Sequence, residues 1–378
     1  MPRHVLITGG AGFIGSRLAA RFVAEGHRVR VLDALLPQVH GADPTQTSPT
    51  LRSVAEVAEV QQGTVTSTED LRAALRDVDI VVHLAAETGT GQSMYEIDRY
   101  VEVNIGGTAK LMDLLTNESH GVERVVVASS RSIYGEGKYR SASGQTVFPP
   151  HRSDAAMASG DFAIRGADGE ELEMVPTPED ALLHPSSVYG ITKHVQESLV
   201  MTVAPTIDVE PVSLRYQNVY GPGQSLSNPY TGILSIFSTL IRQGKAIDIF
   251  EDGEESRDFV YIDDVVEATM IAALEPAAAG GIFNVGSGQA TTVLEVVDAL
   301  ATAFDAKVEV SVSGRYRLGD IRHNVADTSR LRDVLGFQPS VPFAEGVRRF
   351  VEWVVEEPVG GGEYERSLEE MAARRLLK

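Results

Sequence analysis

The first 130 residues swing between short all-apolar runs and longer stretches where apolar residues recur every three or four positions. The runs at 5–8, 28–33, 80–84 and 124–128 are near-continuous in Val, Ile and Leu. Such runs predict strands buried on both faces of a parallel sheet. Helical periodicity over 17–25, 69–75 and 100–115 separates them. This alternation predicts an α/β fold, a doubly wound parallel sheet of the Rossmann type. The pattern lapses twice. Residues 36–59, rich in Pro, Thr and Ser, read as a loop, and 137–182, with Gly, Pro, Asp, Glu and little periodicity, read as an insertion, a lid or an unstructured segment. Alternation resumes near Val188. From Pro358 the tail is glycine-rich and then charged from Glu369 to Lys378, which predicts a peripheral helix. No internal repeat is visible.

The first apolar run leads into Thr8-Gly9-Gly10-Ala11-Gly12-Phe13-Ile14-Gly15, and a helical pattern follows at once. The glycines have the spacing of a dinucleotide-binding turn: one makes the tight turn, one lets backbone approach a pyrophosphate, one lets helix pack on strand. The helix N-terminus then offers free N–H groups to the phosphates. The second run ends on Asp33. An acid there accepts hydrogen bonds from an adenosine ribose and repels a 2′-phosphate, which favours NAD over NADP. The bland alternative is a strand–helix turn that binds nothing.

Composition narrows the partners. The chain has 378 residues, 43% hydrophobic and 23% charged, ordinary for a protein of about two domains. We expect residues 1–186 to hold the NAD-binding domain, with 137–182 inserted and segments near 205–220 and 255–285 returning to it. Residues 187–378 are expected to form mainly a substrate domain, interleaved with the first. No apolar run approaches the length of a membrane span, and the early strand leaves no room for a signal peptide, so a cytoplasmic protein is expected. Cysteine is absent, which excludes disulfides, thiolate metal sites and cysteine catalysis, and no metal site is expected. The net charge of −20 argues against nucleic acid and anionic membranes as partners. A phosphorylated ligand would need a local basic pocket.

Tyr189 and Lys193 stand at i and i+4 in a helical stretch, on one face and one turn apart. An ammonium beside a phenol favours the phenolate, and a bound NAD⁺ would add positive charge, which together make a base for a hydroxyl proton. An exposed Tyr–Lys pair is the alternative. Ser130 follows the fourth strand, at the sheet edge where α/β ligands sit, so it is placed to hydrogen-bond a substrate oxygen. The alternative there is local turn chemistry.

Together these motifs resemble the extended short-chain dehydrogenase/reductases, of the nucleotide-sugar epimerase and dehydratase kind. Further matching stretches are His83-Leu84-Ala85-Ala86, Asn104-Ile105-Gly106-Gly107-Thr108, Ser129-Ser130, Arg215-Tyr216-Gln217-Asn218-Val219-Tyr220-Gly221-Pro222-Gly223, Arg257-Asp258-Phe259-Val260, Asn284-Val285-Gly286-Ser287-Gly288 and Arg317-Leu318-Gly319-Asp320. They run in order from residue 5 to about residue 355. The resemblance implies that Gly9, Gly12, Phe13, Ile14 and Gly15 hold the pyrophosphate and Asp33 the ribose. Leu84, Ala85, Ala86, Thr64, Val65 and Gln217 line the cofactor, and Asn104 supports it. It makes Tyr189 the base, with Lys193 also on the nicotinamide ribose. Ser130 and Ser132 face the substrate, a nucleotide diphosphate sugar. Asn218, Arg257 and Arg317 grip the diphosphate region, and Asp320 meets the nucleotide ribose. It also implies a homodimer through the helices at 100–115 and 188–203, which carry Val103, Leu111, Leu114, Leu115, Val195, Leu199 and Val200.

The chain departs from the resembled pattern in places. Thr64 follows Gly63 where an Asp is frequent, Gln217 stands where an aromatic is common, and the 137–182 insertion is long. Dehydratases of this kind place Asp-Glu directly after the catalytic Ser or Thr, and here those positions are Arg131-Ser132. Elimination therefore lacks its acid and base, which leaves 4-epimerisation or ketone reduction. The stretches Ser227-Asn228-Pro229-Tyr230-Thr231 and Ile249-Phe250-Glu251-Asp252-Gly253 look most like the TDP-L-rhamnose 4-epimerase type. The expected activity is NAD-dependent inversion at C4 of an NDP-hexose. A 4-keto-sugar reductase consuming free NAD(P)H is the alternative, and a non-catalytic NAD sensor a more remote one.

Overall fold

The computed structural model describes residues 1–226, 228, 230, 232–360 and 363–378. Ser227, Pro229 and Thr231 of the stretch likened to the rhamnose type lie outside the described residues, as do Gly361 and Gly362 of the tail.

Seven strands form one parallel sheet: β1 His4–Thr8, β2 Arg28–Asp33, β3 Glu59–Gln62, β4 Ile80–His83, β5 Arg124–Ser130, β6 Glu210–Tyr216 and β7 Ile282–Val285. Their order is β7-β6-β5-β4-β1-β2-β3. The two-residue period of a strand explains the unbroken apolar runs. Val5, Ile7, Val29, Val31, Val82 and Val126 point into one core, whereas Leu6, Leu32, Val81, Val125 and Val127 point into another. Each such fully buried side chain contributes about 1.5–3 kcal/mol. Helices cover both faces. The first core takes α1 (Phe13–Ala24) through Leu18 and Phe22. The second takes α2 (Thr68–Ala74), α3 (Gly107–Asn117) and α4 (Val188–Val203), through Leu71, Leu111, Leu115 and Val200. Helix α5 (Ile262–Leu274) returns to the first face through Val265, Ala268 and Ala272. Outside this sheet, Asn218–Tyr220 pairs with Phe259–Tyr261, and Ser256–Arg257 lies between Thr291–Thr292 and His323–Asn324.

Four expectations are corrected. The 36–59 segment is not plain loop: Pro37–His40, Pro44–Thr47 and Pro49–Ala55 are short helices, each opened by a proline whose fixed φ suits the first helical position. The 100–115 stretch is not one α-helix. Val101–Gly106 is a wide π-helical stretch that leads into α3. The 137–182 insertion is folded. Tyr139–Arg140 is the middle strand of a small antiparallel sheet with Thr146–Val147 and Glu173–Met174, over a core of Tyr139, Ile164 and Leu172. The tail is anchored rather than peripheral. Helix Glu363–Ala373 buries Met371 beside Phe250, and the last residues pair with the 316–318 segment.

Candidate active site

The glycine turn divides its work as the spacing implies. Gly9 has φ +69°, and a Cβ there would stand 2.9 Å from the backbone of Ala85. At Gly15 a Cβ would fall 2.5 Å from the Gly10 Cα, so helix and turn pack too closely for any side chain. Gly12 differs: its Cβ position meets only the Gly9 carbonyl, at 3.2 Å, and no side chain caps α1 there. The helix N-terminus is thus open to an anion. At the end of β2 the Asp33 carboxylate accepts the Ala11 N–H at 3.0 Å and the Leu35 N–H at 2.9 Å, which ties it to the turn. His40 Nε2 lies 3.5 Å from it.

From this turn a cleft of about 870 Å³ runs along the C-terminal ends of the strands. Gly9, Gly12, Phe13, Ile14, Gly15, Asp33, Thr64, Val65, Leu84, Ala85, Ala86, Ser130, Tyr189, Lys193 and Gln217 all line it. Asn104 lies behind the wall. Its side chain accepts the Glu87 N–H at 2.7 Å and donates to the Glu87 carbonyl and to Thr192 Oγ1, which braces the loop after β4 against α4. The π-helical stretch that carries Asn104 gives it this reach. Both polar atoms of the Gln217 side chain are buried without a hydrogen-bond partner in the cleft wall. An open helix N-terminus at one end, a tethered carboxylate beside it and an unpaired amide along the wall fit a dinucleotide.

Ser130 ends β5, and Tyr189 and Lys193 stand one turn apart on α4, so two elements bring three side chains together at the cleft. Ser187 caps α4 by accepting the Gly190 N–H, and the Tyr189 N–H donates to Ser93 Oγ at 3.0 Å. These bonds fix where the helix begins and hence where the phenol points. Burial pushes the Tyr189 phenol above its ordinary value, against a hydrogen bond from Ser130 and the charge of Arg131, which both lower it. The expected lowering by Lys193 is not what this geometry gives. Lys193 donates instead to Gln196 Oε1 at 2.7 Å, and burial lowers its own pKa to about 7. Gln196 in turn donates to Thr108 Oγ1 at 2.8 Å, and His83 Nε2 lies 3.0 Å from the same hydroxyl. Burial holds His83 neutral, with its pKa at about 3.

The other expected substrate residues, Ser132, Asn218, Arg257, Arg317 and Asp320, lie in a charged cluster off this end of the cleft, linked to it through Ser130. Ser132 hydrogen-bonds with Ser130, Oγ to Oγ at 3.3 Å. Arg257 donates to the Ser256 and Arg322 carbonyls and pairs with Asp320 at 3.3 Å. Burial works against the Asp320 charge, but Arg257, Arg317, Arg152 and Arg131 hold its carboxyl below the ordinary range. Arg317 lies over the Phe250 ring, with its Nε buried and unpartnered. Asn218 Oδ1 accepts from Arg131 Nε at 2.5 Å. The insertion reaches the cluster: Arg152 donates to the Asp320 carbonyl at 3.0 Å and to Glu251 at 2.7 Å.

A family model described as the NAD dependent epimerase/dehydratase family matches residues 5–156 and 163–286. The chain belongs to this family. A dTDP-L-rhamnose 4-epimerase of Burkholderia thailandensis is 39% identical over 360 residues, spanning 94% of this chain and 96% of that one. A UDP-glucose 4-epimerase of Mycolicibacterium smegmatis is 32% identical, spanning 93% and 98%. The solved structure of a Thermus thermophilus UDP-glucose 4-epimerase in complex with NAD superposes with a TM-score of 0.72 at 27% identity, covering 94% of this chain and 100% of that one.

Two motif residues of this epimerase/dehydratase chain are structural. Arg215 forms a buried pair with Glu197, at 2.6 and 3.0 Å, and reaches Tyr134. Tyr134 donates to Asn284, which ties β7 to the segments at Thr177 and Asp327. Sequence reasoning passed over three site residues: Arg131, Ser93 and Gln196. In the sequence Arg131 stands out only as the absence of an acid. An arginine directly after the Ser-Ser that ends a buried strand, in a chain this acidic, was the available signal. Ser93 and Gln196 act through contacts that no local pattern encodes.

Proposed function

We propose that the chain is an NAD-dependent nucleotide-sugar 4-epimerase, an isomerase that inverts C4 of an NDP-hexose through a 4-keto sugar. The observation that carries this is the convergence of Ser130, Tyr189 and Lys193 on the dinucleotide cleft, with Arg131-Ser132 in place of an eliminating acid and base. The glycine turn and the N-terminus of α1 hold the pyrophosphate, and Asp33 favours NAD. Gln217, whose side-chain amide has no protein partner in the cleft wall, would meet the cofactor. When bound, NAD would supply a reversible hydride acceptor and a positive charge. That charge opposes the burial that pushes the phenol up. Tyr189 takes the 4-OH proton and returns it after the sugar has turned. Ser130 holds the same oxygen in both orientations. Asn218, Arg257 and Arg317 keep the diphosphate in place while the sugar rotates, and Asp320 meets the nucleotide ribose.

The finer reading is a TDP-L-rhamnose 4-epimerase, supported by the 39% identity over nearly the whole of both chains. The working unit is a homodimer. Incubating the purified protein with dTDP-L-rhamnose and with UDP-hexoses, and following C4 inversion by proton NMR, tests both levels. Inversion without net change in NADH absorbance is expected. Stoichiometric NADH consumption would make the protein a reductase.

A further inference from the structure

Arg131 has no binding role in the reading above, yet it sits one residue from Ser130 and is held in the site. Its Nε donates to Asn218 Oδ1 at 2.5 Å, whereas its Nη1 is buried with no hydrogen-bond partner. Arg131, Arg257, Arg317 and Arg152 all act on the carboxylate of Asp320. The neighbouring carboxylates are engaged elsewhere, and Arg152 also pairs with Glu136 at 3.3 Å. Arg152 and Arg322 share Glu251, and Arg322 also takes Asp252. The Asp258 oxygens are filled by Ser287, Gly288 and Ala326. A buried guanidinium left unpaired beside other guanidiniums is costly unless an anion completes the site. A phosphate oxygen of a nucleotide diphosphate is such an acceptor. Of these arginines, Arg131 acts on the Tyr189 phenol, which places it toward the reacting end.

We infer that Arg131 is a substrate ligand whose free Nη1 binds the sugar-proximal phosphate of the nucleotide diphosphate, so that it selects diphosphates over monophosphates. The inference rests on reading the site as a nucleotide-sugar site. Asn218 orients the guanidinium through Nε and leaves Nη1 to the phosphate. The same arginine excludes the acid that an elimination would need at this position.

The test is calorimetric titration of the NAD-loaded protein with dTDP, dTMP, UDP and UMP. Wild type is expected to prefer the diphosphate of its own base. Arg131→Met is expected to lose about 10- to 100-fold in affinity for that diphosphate, the worth of one charge-assisted hydrogen bond, with monophosphate affinity unchanged. Arg131→Lys, which keeps a charge but lacks the fork, recovers part of the loss. Arg131→Met that still favours the diphosphate as wild type does would overturn the inference and leave the epimerase reading intact. Wild type that binds neither dTDP nor UDP would overturn both. If Arg131→Met does not fold, Arg131→Lys decides: weaker diphosphate binding at constant monophosphate affinity supports the inference, and wild-type affinity for both overturns it.

Discussion

At the scale of single residues the site sets a buried Lys193 beside a half-buried Tyr189 and partly exposed arginines. Tyr189 is the simplest to test. Tyr189→Phe removes the proposed proton acceptor and keeps the ring, so turnover should fall by about 10²- to 10⁴-fold. NAD binding should survive. Wild-type turnover on a confirmed substrate would transfer the base role to Ser130 or a water. Lys193 makes a separate prediction about stability. Burial lowers its pKa to about 7, against about 10.4 in an unfolded chain. Below pH 7 both states hold the proton, and the full penalty of a buried ammonium is present. Between about 7 and 10 the unfolded chain binds more protons, so stability rises with pH. In cofactor-free protein, the Tm of wild type relative to Lys193→Met should therefore rise from about pH 6.5 to about pH 9.5. A constant difference between the two would show that Lys193 is an ordinary ammonium in the folded state.

At the scale of elements, what was legible was whatever repeats with a period. Strands β1, β2, β4 and β5 could be read because both faces are buried, so each is a near-continuous aliphatic run, whereas β3, polar and partly exposed at the sheet edge, could not. The glycine turn could be read because backbone crowding at Gly9 and Gly15 admits no other residue. Gly15→Ala tests this directly. Its Cβ would stand 2.5 Å from the Gly10 Cα, so turn and helix must separate. We expect a cost of about 1–3 kcal/mol in thermal stability and a clear loss of NAD affinity in fluorescence titration. An unchanged NAD affinity would mean that α1 does not set the pyrophosphate site. The insertion was illegible because its strands are two residues long and its order comes from contacts such as Thr177 to Val325. The π-helical stretch was illegible because its reason, the reach of Asn104 to Glu87, lies in the partner loop. Arg131 is the case between these. Its residue type was visible, and its meaning depends on charges brought from 120 residues away.

At the scale of the whole molecule, the fold decides which apolar residues remain for assembly. Leu111, Leu114, Leu115 and Val200, expected at a dimer interface, are instead buried in the chain's own core. What α4 and the preceding turns leave outside is a different set: Ile97 at 52%, Val101 at 40% and Ile191 at 48% exposure, with Val195 and Leu199 half-buried along α4. Ile191, Val195 and Leu199 fall at i, i+4 and i+8, which makes one stripe on the face of α4 away from the sheet. Two such stripes across a twofold axis would pack as a bundle of helices. Each chain carries a net charge of −20, so two copies repel until salt screens them. Raising ionic strength from about 0.01 M to about 0.1 M shortens the Debye length from about 30 Å to about 10 Å. The apolar contact is little affected over that range. Dimerisation should therefore tighten with salt, the reverse of what an interface built on ion pairs would show. Light scattering at micromolar concentration, with Ile191→Asp as the disrupting variant, separates the cases. The expected result is a wild-type dimer strengthened by salt and an Ile191→Asp monomer that keeps its NAD. A dimer that weakens with salt, or one indifferent to Ile191→Asp, would move the interface to another face of the molecule.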